Sequence, residues 1–274
     1  MFRTVSSTAA QLGRETLIGK GLTSDVFTWG EERVLKLAFS WLPAATAERE
    51  FAVTQAIHAA GVPVPAAFEI VQIGARHGIV FERVRGPSLL RQVEKRPWTL
   101  FAAARQLAEL HVRIHAYVAP GKLPSQREQI KRWVEGAVDF SEAEKEVARR
   151  QLAQLPPGDC VCHGDFHPGN IVLTARGPVI IDWSTGTRGH ALADVARTSV
   201  LFESASLPDE TPLHIRFLMK AARRLLHVTY LNRYLELRPG TLDEIEKWRV
   251  PQRMGASAWR VERSAAMAKA TSGG

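Results

Sequence analysis

The densest polar cluster in the chain is Cys162-His163-Gly164-Asp165-Phe166-His167-Pro168-Gly169-Asn170. Apolar runs bracket it, Cys160–Cys162 before and Ile171–Leu173 after, and read as short strands. Further on, Val179-Ile180-Ile181 ends in Asp182. A loop presenting Asp165 and Asn170 beside a strand end presenting Asp182 gathers three oxygen-bearing groups. Such oxygens suit Mg²⁺, with phosphates supplying further ligands. Asp, Pro, Gly and Asn also build plain surface turns, but the flanking strands and the spaced Asp set this loop apart. A second chemistry competes. Cys160, Cys162, His163, Asp165 and His167, with His190 downstream, are all potential metal ligands, and a hydrolase using a metal-bound hydroxide needs such a set. Against it, Cys160 and Cys162 alternate on an apolar strand, where cysteine usually packs as a small hydrophobe.

The N-terminal third holds an independent test. Val34-Leu35-Lys36-Leu37-Ala38 sets a lysine in the middle of an apolar strand, and a buried ammonium needs a partner. At about 100° per residue, the helix that follows puts Glu50 on the face of Val53, Ile57 and Ala60, with Glu48 on the other side. Glu50 is therefore the expected partner of Lys36. A lysine reaching solvent from an edge strand is the plainer alternative. Gly19-Lys20-Gly21-Leu22-Thr23-Ser24 lies between the first two strands, where glycines let a backbone approach phosphates. It is neither a Walker motif nor a dinucleotide fingerprint, since G-x-x-x-x-G-K-[ST] is absent and a strand follows rather than a helix. An ordinary hairpin turn would use the same residues.

The elements that must position these groups fall into two parts. Strands are expected at Thr16–Ile18, Val26–Trp29, Val34–Ala38, Phe68–Ile73 and Ile79–Val84, with one helix at Ala44–Ala60 between the third and fourth. Pro43 starts that helix and Gly61 ends it, the usual asymmetry. This βββαββ order makes a small antiparallel sheet with one helix. After Gly86-Pro87 the pattern turns helical, at Trp98–Val118, Glu128–Ala137 and Ser141–Leu155, and again from Ala191 through Arg216–Leu237. The short strands around the polar loop interrupt it. The two parts join near Glu82–Pro87, and a cleft is expected between them. Ala265–Gly274, small and polar, is expected to fray.

Composition narrows the function classes. With 274 residues, 45% apolar and 23% charged, the chain has ordinary globular composition and can bury a core without disulfides. No apolar run approaches membrane-spanning length, and the first residues lack the apolar core of a secretory signal. Two cysteines are no disulfide framework, so a cytoplasmic, reducing compartment is expected. The net charge is +8, and residues 211–274 carry 12 Lys+Arg against 5 Asp+Glu. The basic residues are scattered among apolar positions rather than run together, which reads as solvated helix faces and not as a nucleic-acid surface.

HGDFHPGN, IDW and GHALADVAR, in that order and spacing, resemble the aminoglycoside phosphotransferase and choline kinase-like family, small-molecule kinases with a protein-kinase-like fold. The resemblance covers about residues 13–235. Asp165 and Asn170 are five apart, the offset of the Asp and Asn in the kinase catalytic loop. The resemblance implies an α+β bilobal fold, with residues 1–84 as the nucleotide-binding lobe and a hinge at about 82–87. The helical lobe, 85–274, would carry the catalytic loop at 162–173, the metal segment at 179–184 and the acceptor-binding helices. Asp165 would be the catalytic base, and Asn170 and Asp182 would hold Mg²⁺ across the nucleotide phosphates. Lys36 with Glu50 resembles the pair that holds the α/β-phosphates. Gly19, Gly21, Thr23 and Ser24 would face phosphates, Ser24 standing where a full G-x-G-x-x-G has its third glycine. Glu82 and Val84 would read the purine through the backbone, which leaves ATP and GTP undistinguished. His163 would brace the loop, His167 would touch a phosphate or stabilise its turn, and Asp194 would brace the loop from the following helix. Leu107-Ala108-Glu109-Leu110-His111 resembles a family helix motif, read as core with a satisfied histidine.

The implied activity is ATP-dependent phosphoryl transfer to a hydroxyl of a small molecule. A metal-dependent hydrolase and a non-catalytic nucleotide-binding pseudokinase are the alternatives. Lys36, Glu50, Asp165, Asn170 and Asp182 together favour catalysis. Aminoglycosides are polycations that need carboxylates around them, whereas residues 211–274 carry the positive excess, so a neutral or anionic acceptor is expected. No nucleic-acid or membrane partner is expected, and the oligomeric state is not legible.

Overall fold

The computed structural model describes residues 4–6, 12–13, 15–204 and 211–255. Six strands form the N-terminal sheet: β1 (Thr4–Ser6), β2 (Leu17–Lys20), β3 (Ser24–Thr28), β4 (Arg33–Ala38), β5 (Ala67–Ile73) and β6 (Arg76–Glu82), in the order β1-β5-β6-β4-β3-β2. Every pairing is antiparallel except β1 on β5. The five expected strands are present within a few residues of their expected bounds. β1 lies outside them, because three residues are too short to show alternation. The β4 register sets Lys36 opposite Val26 and Ile79.

Helix α1 (Ala44–Ala59) runs between β4 and β5 and presents two apolar faces. Ala47 and Phe51 pack with Ile70, Ile79 and Phe81 of the sheet. Val53 and Ile57 instead join one cluster with Leu107, Ile114 and Trp183 of the helical lobe. Pro43 precedes α1 in extended conformation, and Gly61 follows it at φ 84, a left-handed position that glycine adopts without a Cβ penalty.

The chain enters the helical lobe through a fixed point. Gly86 has φ 152, and a Cβ there would lie 2.0 Å from the Leu173 carbonyl oxygen. Only glycine lets the backbones approach so closely. Next to it the Leu173 N–H donates to the Pro87 carbonyl at 2.9 Å. Helix α2 (Leu89–Lys95) then starts on a Ser88 cap. Together with a 3₁₀ turn at Pro97–Thr99, it occupies the stretch ahead of the expected Trp98 start. Helix α3 (Leu100–His115) buries Ala103, Ala104, Leu107, Ala108, Leu110, His111, Ile114 and His115, the period of one helical face.

Helices α4 (Gln126–Gly136) and α5 (Glu142–Gln154) follow, each capped by a serine. At α5 Ser141 and Glu144 form a reciprocal capping box, a feature whose loss costs about 1 kcal/mol. Four short strands carry the polar loop: β7 (Cys160–Cys162), β8 (Ile171–Thr174), β9 (Gly177–Ile180) and β10 (Thr187–Gly189). They pair as β7 with β10 and β8 with β9, both antiparallel. β10 was not expected, since Thr-Arg-Gly carries no strand pattern. Helix α6 (Ala191–Ser204) is buried over its first ten residues, and α7 (Leu213–Leu237) packs along α3. A last helix, α8, spans 242–255 and seats Trp248 and Met254 in the main core. The Ala265–Gly274 tail lies outside the described residues. Among the described residues, no helix is long and apolar enough to cross a membrane.

Candidate active site

Lys36 joins a group from each lobe. Its Nζ donates to Glu50 Oε1 at 2.7 Å and to Asp182 Oδ1 at 2.9 Å. Strand β4 supplies the lysine, the inward face of α1 supplies Glu50, and the turn after β9 supplies Asp182. Sequence reasoning expected the Glu50 contact; the Asp182 contact joins residues 146 apart and left no local signal. Burial pulls the Lys36 ammonium towards neutrality, but the charges of Asp182 and Glu50 outweigh it and raise its pKa. Burial likewise opposes ionisation of Asp182, yet Lys36 and the Ser184 hydroxyl bring it down to about 2. Glu50 moves the other way, raised by burial. Asp182 therefore carries the firmer negative charge of the two.

Asp182 sits at φ 63, the one non-glycine in left-handed conformation among the described residues. Such backbone strain is held only where neighbours over-determine it. Here Trp183, fully buried, donates from Nε1 to the Ile180 carbonyl at 3.0 Å. The Ile181 N–H donates to the Asn170 carbonyl at 2.9 Å.

The polar loop is held from inside by His163. Its Nδ1 accepts the Asp165 N–H at 3.1 Å and its Nε2 faces the Ile181 carbonyl at 3.0 Å. That pattern fixes a neutral imidazole protonated on Nε2, and burial lowers its pKa accordingly. His163 thus ties the backbone of Asp165 to the residue before Asp182. Asn170 donates from Nδ2 to the Asp165 carbonyl at 2.9 Å and to Asp165 Oδ2 at 3.2 Å. His167 accepts the Gly169 N–H on Nδ1 and brings Nε2 to 3.6 Å from Asp165 Oδ2. Burial raises the Asp165 pKa, but the close approach of His167 outweighs it and leaves it below the ordinary carboxylate value. His167 is raised in turn, its burial overcome by Asp165.

Beneath the loop lies Asp194, fully buried on α6. Its Oδ2 accepts the His163 N–H at 2.6 Å and its Oδ1 the Gly164 N–H at 2.7 Å. Oδ2 also meets His111 Nε2 at 3.0 Å and His115 Nε2 at 3.3 Å. The other ring nitrogens face Tyr230 at 2.6 Å and Tyr234 at 2.7 Å. Burial opposes the Asp194 charge, but His111 and His115 hold its pKa well below the usual range. His115, Tyr230 and Tyr234 escaped sequence reasoning. Their signal was two i, i+4 pairs on the facing helices α3 and α7.

Other expected residues stand apart. The Gly21 N–H donates to the Ser24 carbonyl at 2.8 Å, closing a hairpin. Among the described residues no hydrogen bond or ion pair joins Gly19, Gly21, Thr23 or Ser24 to the Lys36 group. Glu82 ends β6 and pairs with Arg176 at 3.4 Å. Val84 makes no backbone hydrogen bond among the described residues, so its N–H and C=O remain available. The hydrolase ligand set is not gathered. Cys160 and Cys162 are free, buried and packed with Ala191, and their sulfurs face backbone carbonyls. The one cluster of potential metal ligands among the described residues is His111, His115 and Asp194, and both nitrogens of each of those rings are already engaged.

Two side-chain oxygens beside the loop remain unengaged. Asn170 turns its amide nitrogen to Asp165, which leaves its side-chain oxygen without a protein partner among the described residues. Asp182 keeps Oδ2 in the same state. Two such donors suit a small hard cation rather than zinc.

A family model described as the phosphotransferase enzyme family matches residues 15–244. Acyl-CoA dehydrogenase family member 11 of Gallus gallus is 31% identical over 172 residues, 54% of this chain and 22% of that protein. The chain thus spans under a quarter of that relative's length. Among solved structures, aminoglycoside phosphotransferase APH(4)-Ia superposes with a TM-score of 0.59 at 17% identity, over 95% of this chain and 94% of that one. Amicoumacin kinase hAmiN, in complex with AMP-PNP, Ca²⁺ and Ami, gives 0.60 at 14% identity, over 91% and 81%. APH(3'')-Id from Streptomyces rimosus, in complex with ADP and streptomycin, gives 0.55 at 19% identity, over 88% and 92%. At these identities the likeness is one of fold.

Proposed function

The chain belongs to the phosphotransferase enzyme family, and from that premise we propose how its residues divide the transfer of a phosphoryl group from ATP to a hydroxyl of a small molecule. The observation that carries the proposal is Lys36, held by Glu50 of one lobe and Asp182 of the other. An ammonium raised in pKa and fixed between two carboxylates is placed to hold nucleotide phosphates by charge. The nucleotide-binding lobe is residues 1–84, and the 82–87 connection offers the Val84 backbone groups to a purine edge. ATP and GTP are both compatible with that edge.

Asn170 and Asp182 would hold Mg²⁺, whose charge would neutralise the phosphates when bound. Asp165 is ionised at neutral pH, and its carboxylate orients the acceptor hydroxyl and takes its proton. A base of low pKa suits this reaction, in which positioning and charge neutralisation dominate. His167 holds the Asp165 carboxylate in place, and His163 fixes the loop to the metal segment. The Gly19–Ser24 hairpin closes over the phosphates.

The acceptor is neutral or anionic. The support is the positive excess after residue 210, although Arg233 and Arg249 are paired with Glu109 and Glu203. The absence of a long apolar helix among the described residues and the free cysteines agree with a cytoplasmic enzyme.

The test compares two substitutions. Asp165→Asn keeps the shape and loses the proton acceptor, so kcat should fall by about 10²–10⁴ with Mg-ATP affinity nearly unchanged. Asp182→Asn should instead raise the Mg²⁺ concentration needed for nucleotide binding. An Asp165→Asn enzyme that turns over normally, or that loses nucleotide and metal together, sinks the assignment. A panel of hydroxyl compounds assayed for ATP turnover identifies the acceptor, and efficient phosphorylation of an aminoglycoside overturns the charge argument.

A further inference from the structure

Arg197 is a buried cation that the scheme above leaves without work. It is 7% exposed and makes no ion pair with a carboxylate among the described residues. A buried charge kept without a partner is costly, so what this one touches is informative. Its Nε donates to the Gly164 carbonyl at 3.2 Å and its Nη1 to the Gln252 carbonyl at 3.4 Å. The guanidinium carbon lies 4.7 Å over the Trp133 ring. Gln252 is itself tied to α6, donating from Nε2 to the Ala193 carbonyl at 3.0 Å. Burial pulls the guanidinium pKa down, and the charges of Asp165 and Asp194 oppose that.

We propose that Arg197 is a positioning residue for the transfer reaction, clamping Gly164 from one side while Asp194 clamps it from the other, and so fixing the aim of Asp165. The proposal rests on Asp165 being the base. Asp194 and Arg197 are three apart on α6 and share one face. The first accepts the Gly164 N–H at 2.7 Å, and the second donates to the Gly164 C=O. One helix face thus presents an acceptor and a donor to the two polar groups of a single residue.

That residue needs holding. Gly164 has φ 77, and a Cβ there would meet the Thr185 carbonyl at 2.8 Å, so glycine is required. Glycine is also the most permissive residue and supplies no stiffness of its own. The peptide between Gly164 and Asp165 is planar. Its oxygen is fixed by Arg197 and its N–H by His163 Nδ1. With both ends held, that peptide cannot rotate, and the Asp165 side chain leaves it in a set direction. Displacing a reacting group by about 1 Å can lower a rate about 10²-fold.

Acceptor binding is the other role an arginine here could have. The space beside Arg197, lined by Gln126, Gln129, Thr185 and Gln252, is about 10 Å³. That is room for one water molecule and no ligand. The guanidinium therefore acts on the loop and not on the acceptor.

The experiment measures Mg-ATP turnover without added acceptor, Mg-ATP affinity by titration calorimetry, and the thermal midpoint. The variants are Arg197→Met, Arg197→Lys and Asp165→Asn. Arg197→Met should lower kcat about tenfold or more while Mg-ATP affinity stays within about twofold. Arg197→Lys keeps a donor without the planar fork and should fall between Met and the parent. A merely structural role would move affinity and kcat together. The proposal fails if Arg197→Met turns over at the parent rate, or if affinity falls in step with kcat. If the Met variant does not fold, parent-level kcat in Arg197→Lys overturns it. Normal turnover in Asp165→Asn alongside a slow Arg197→Met removes the base assignment and leaves the clamp on the loop. The reverse pattern removes the clamp alone.

Discussion

Beneath the catalytic loop, Asp194 accepts four hydrogen bonds in a space closed to solvent. At the Gly19–Ser24 turn, Ile18 and Leu22 lie open to solvent and a single short backbone bond closes the hairpin. Both regions flank the site of the proposed transfer. The lower one is finished before any ligand arrives, because the Asp194 carboxylate and both ring nitrogens of His111 and His115 already have partners. The upper one commits the Gly21 amide to that closure and leaves the Leu22 and Thr23 amides without a partner among the described residues. In the proposed scheme, orientation of the transferring groups is built into the helical lobe, and adaptation to the nucleotide is left to the sheet edge. Catalysis by positioning asks for this division, since only the reacting groups must be pre-set.

Four measurements can break or sharpen that contrast. Removing Asp194 should have the largest effect. Asp194→Ala strips four donors of their acceptor at once, and loss of a buried charged partner typically costs about 3–5 kcal/mol. Urea unfolding should show a loss of that order. A variant within about 1 kcal/mol of the parent would mean that water, not Asp194, satisfies those groups.

The second effect is in pH. Burial, reinforced by His115, holds the His111 pKa down to about 3, and burial also lowers His115. The groups facing them are Asp194, His163, Tyr230, Tyr234 and Arg238. In the unfolded chain both imidazoles take protons below pH about 6.5. The unfolded state then binds more protons than the folded one, so stability is full above that pH and falls as pH drops towards 3. The slope should approach about 1.4 kcal/mol per pH unit for each histidine. Unfolding free energies at a series of pH values give the slope, and His111→Asn should flatten it. Stability that stays level from pH 7 to about 4.5 refutes the neutral pair.

Tyr230→Phe should rank third. It removes the hydroxyl from His111 Nδ1 and leaves a buried nitrogen unsatisfied, a loss of about 1–3 kcal/mol. The same urea protocol measures it, and a neutral result shows that the Tyr230 arm of the network is dispensable. Smallest of all should be Gly21→Ala. A Cβ there meets the Ser24 carbonyl oxygen at 3.1 Å in an exposed turn, and stability should stay within about 0.5 kcal/mol. Its mark should be a several-fold rise in KM for ATP. A stability loss rivalling that of Asp194→Ala would erase the contrast.

Legibility in the sequence divides along a similar line. Asp165, Asn170 and Asp182 were readable because their spacing is local and strands frame them. Glu50 was readable because helical periodicity says which glutamate turns inward. The contacts His111–Tyr230 and His115–Tyr234 each span 119 positions, and no local pattern encodes such a distance. Their residues looked like ordinary members of two amphipathic helices. Arg197 was invisible for another reason: its partners are backbone carbonyls, which leave no residue-type signature. β1 and β10 are three residues each and owe their existence to the strands they join.

Helix α1 has two apolar faces, one on the sheet and one in the core of the other lobe. In inheritance terms, the N-terminal lobe is not a cassette. Cutting the gene after residue 84 would strand Val53, Ile57, Val62 and Val64, which share their packing with Leu107 and Trp183. A fragment so made would expose a greasy seam and aggregate. Grafting this sheet onto a relative's helices would require carrying the matching seam with it. Exchanging the helical lobe would therefore require matching changes on α1, and the N-terminal lobe can change only at the pace its partner allows.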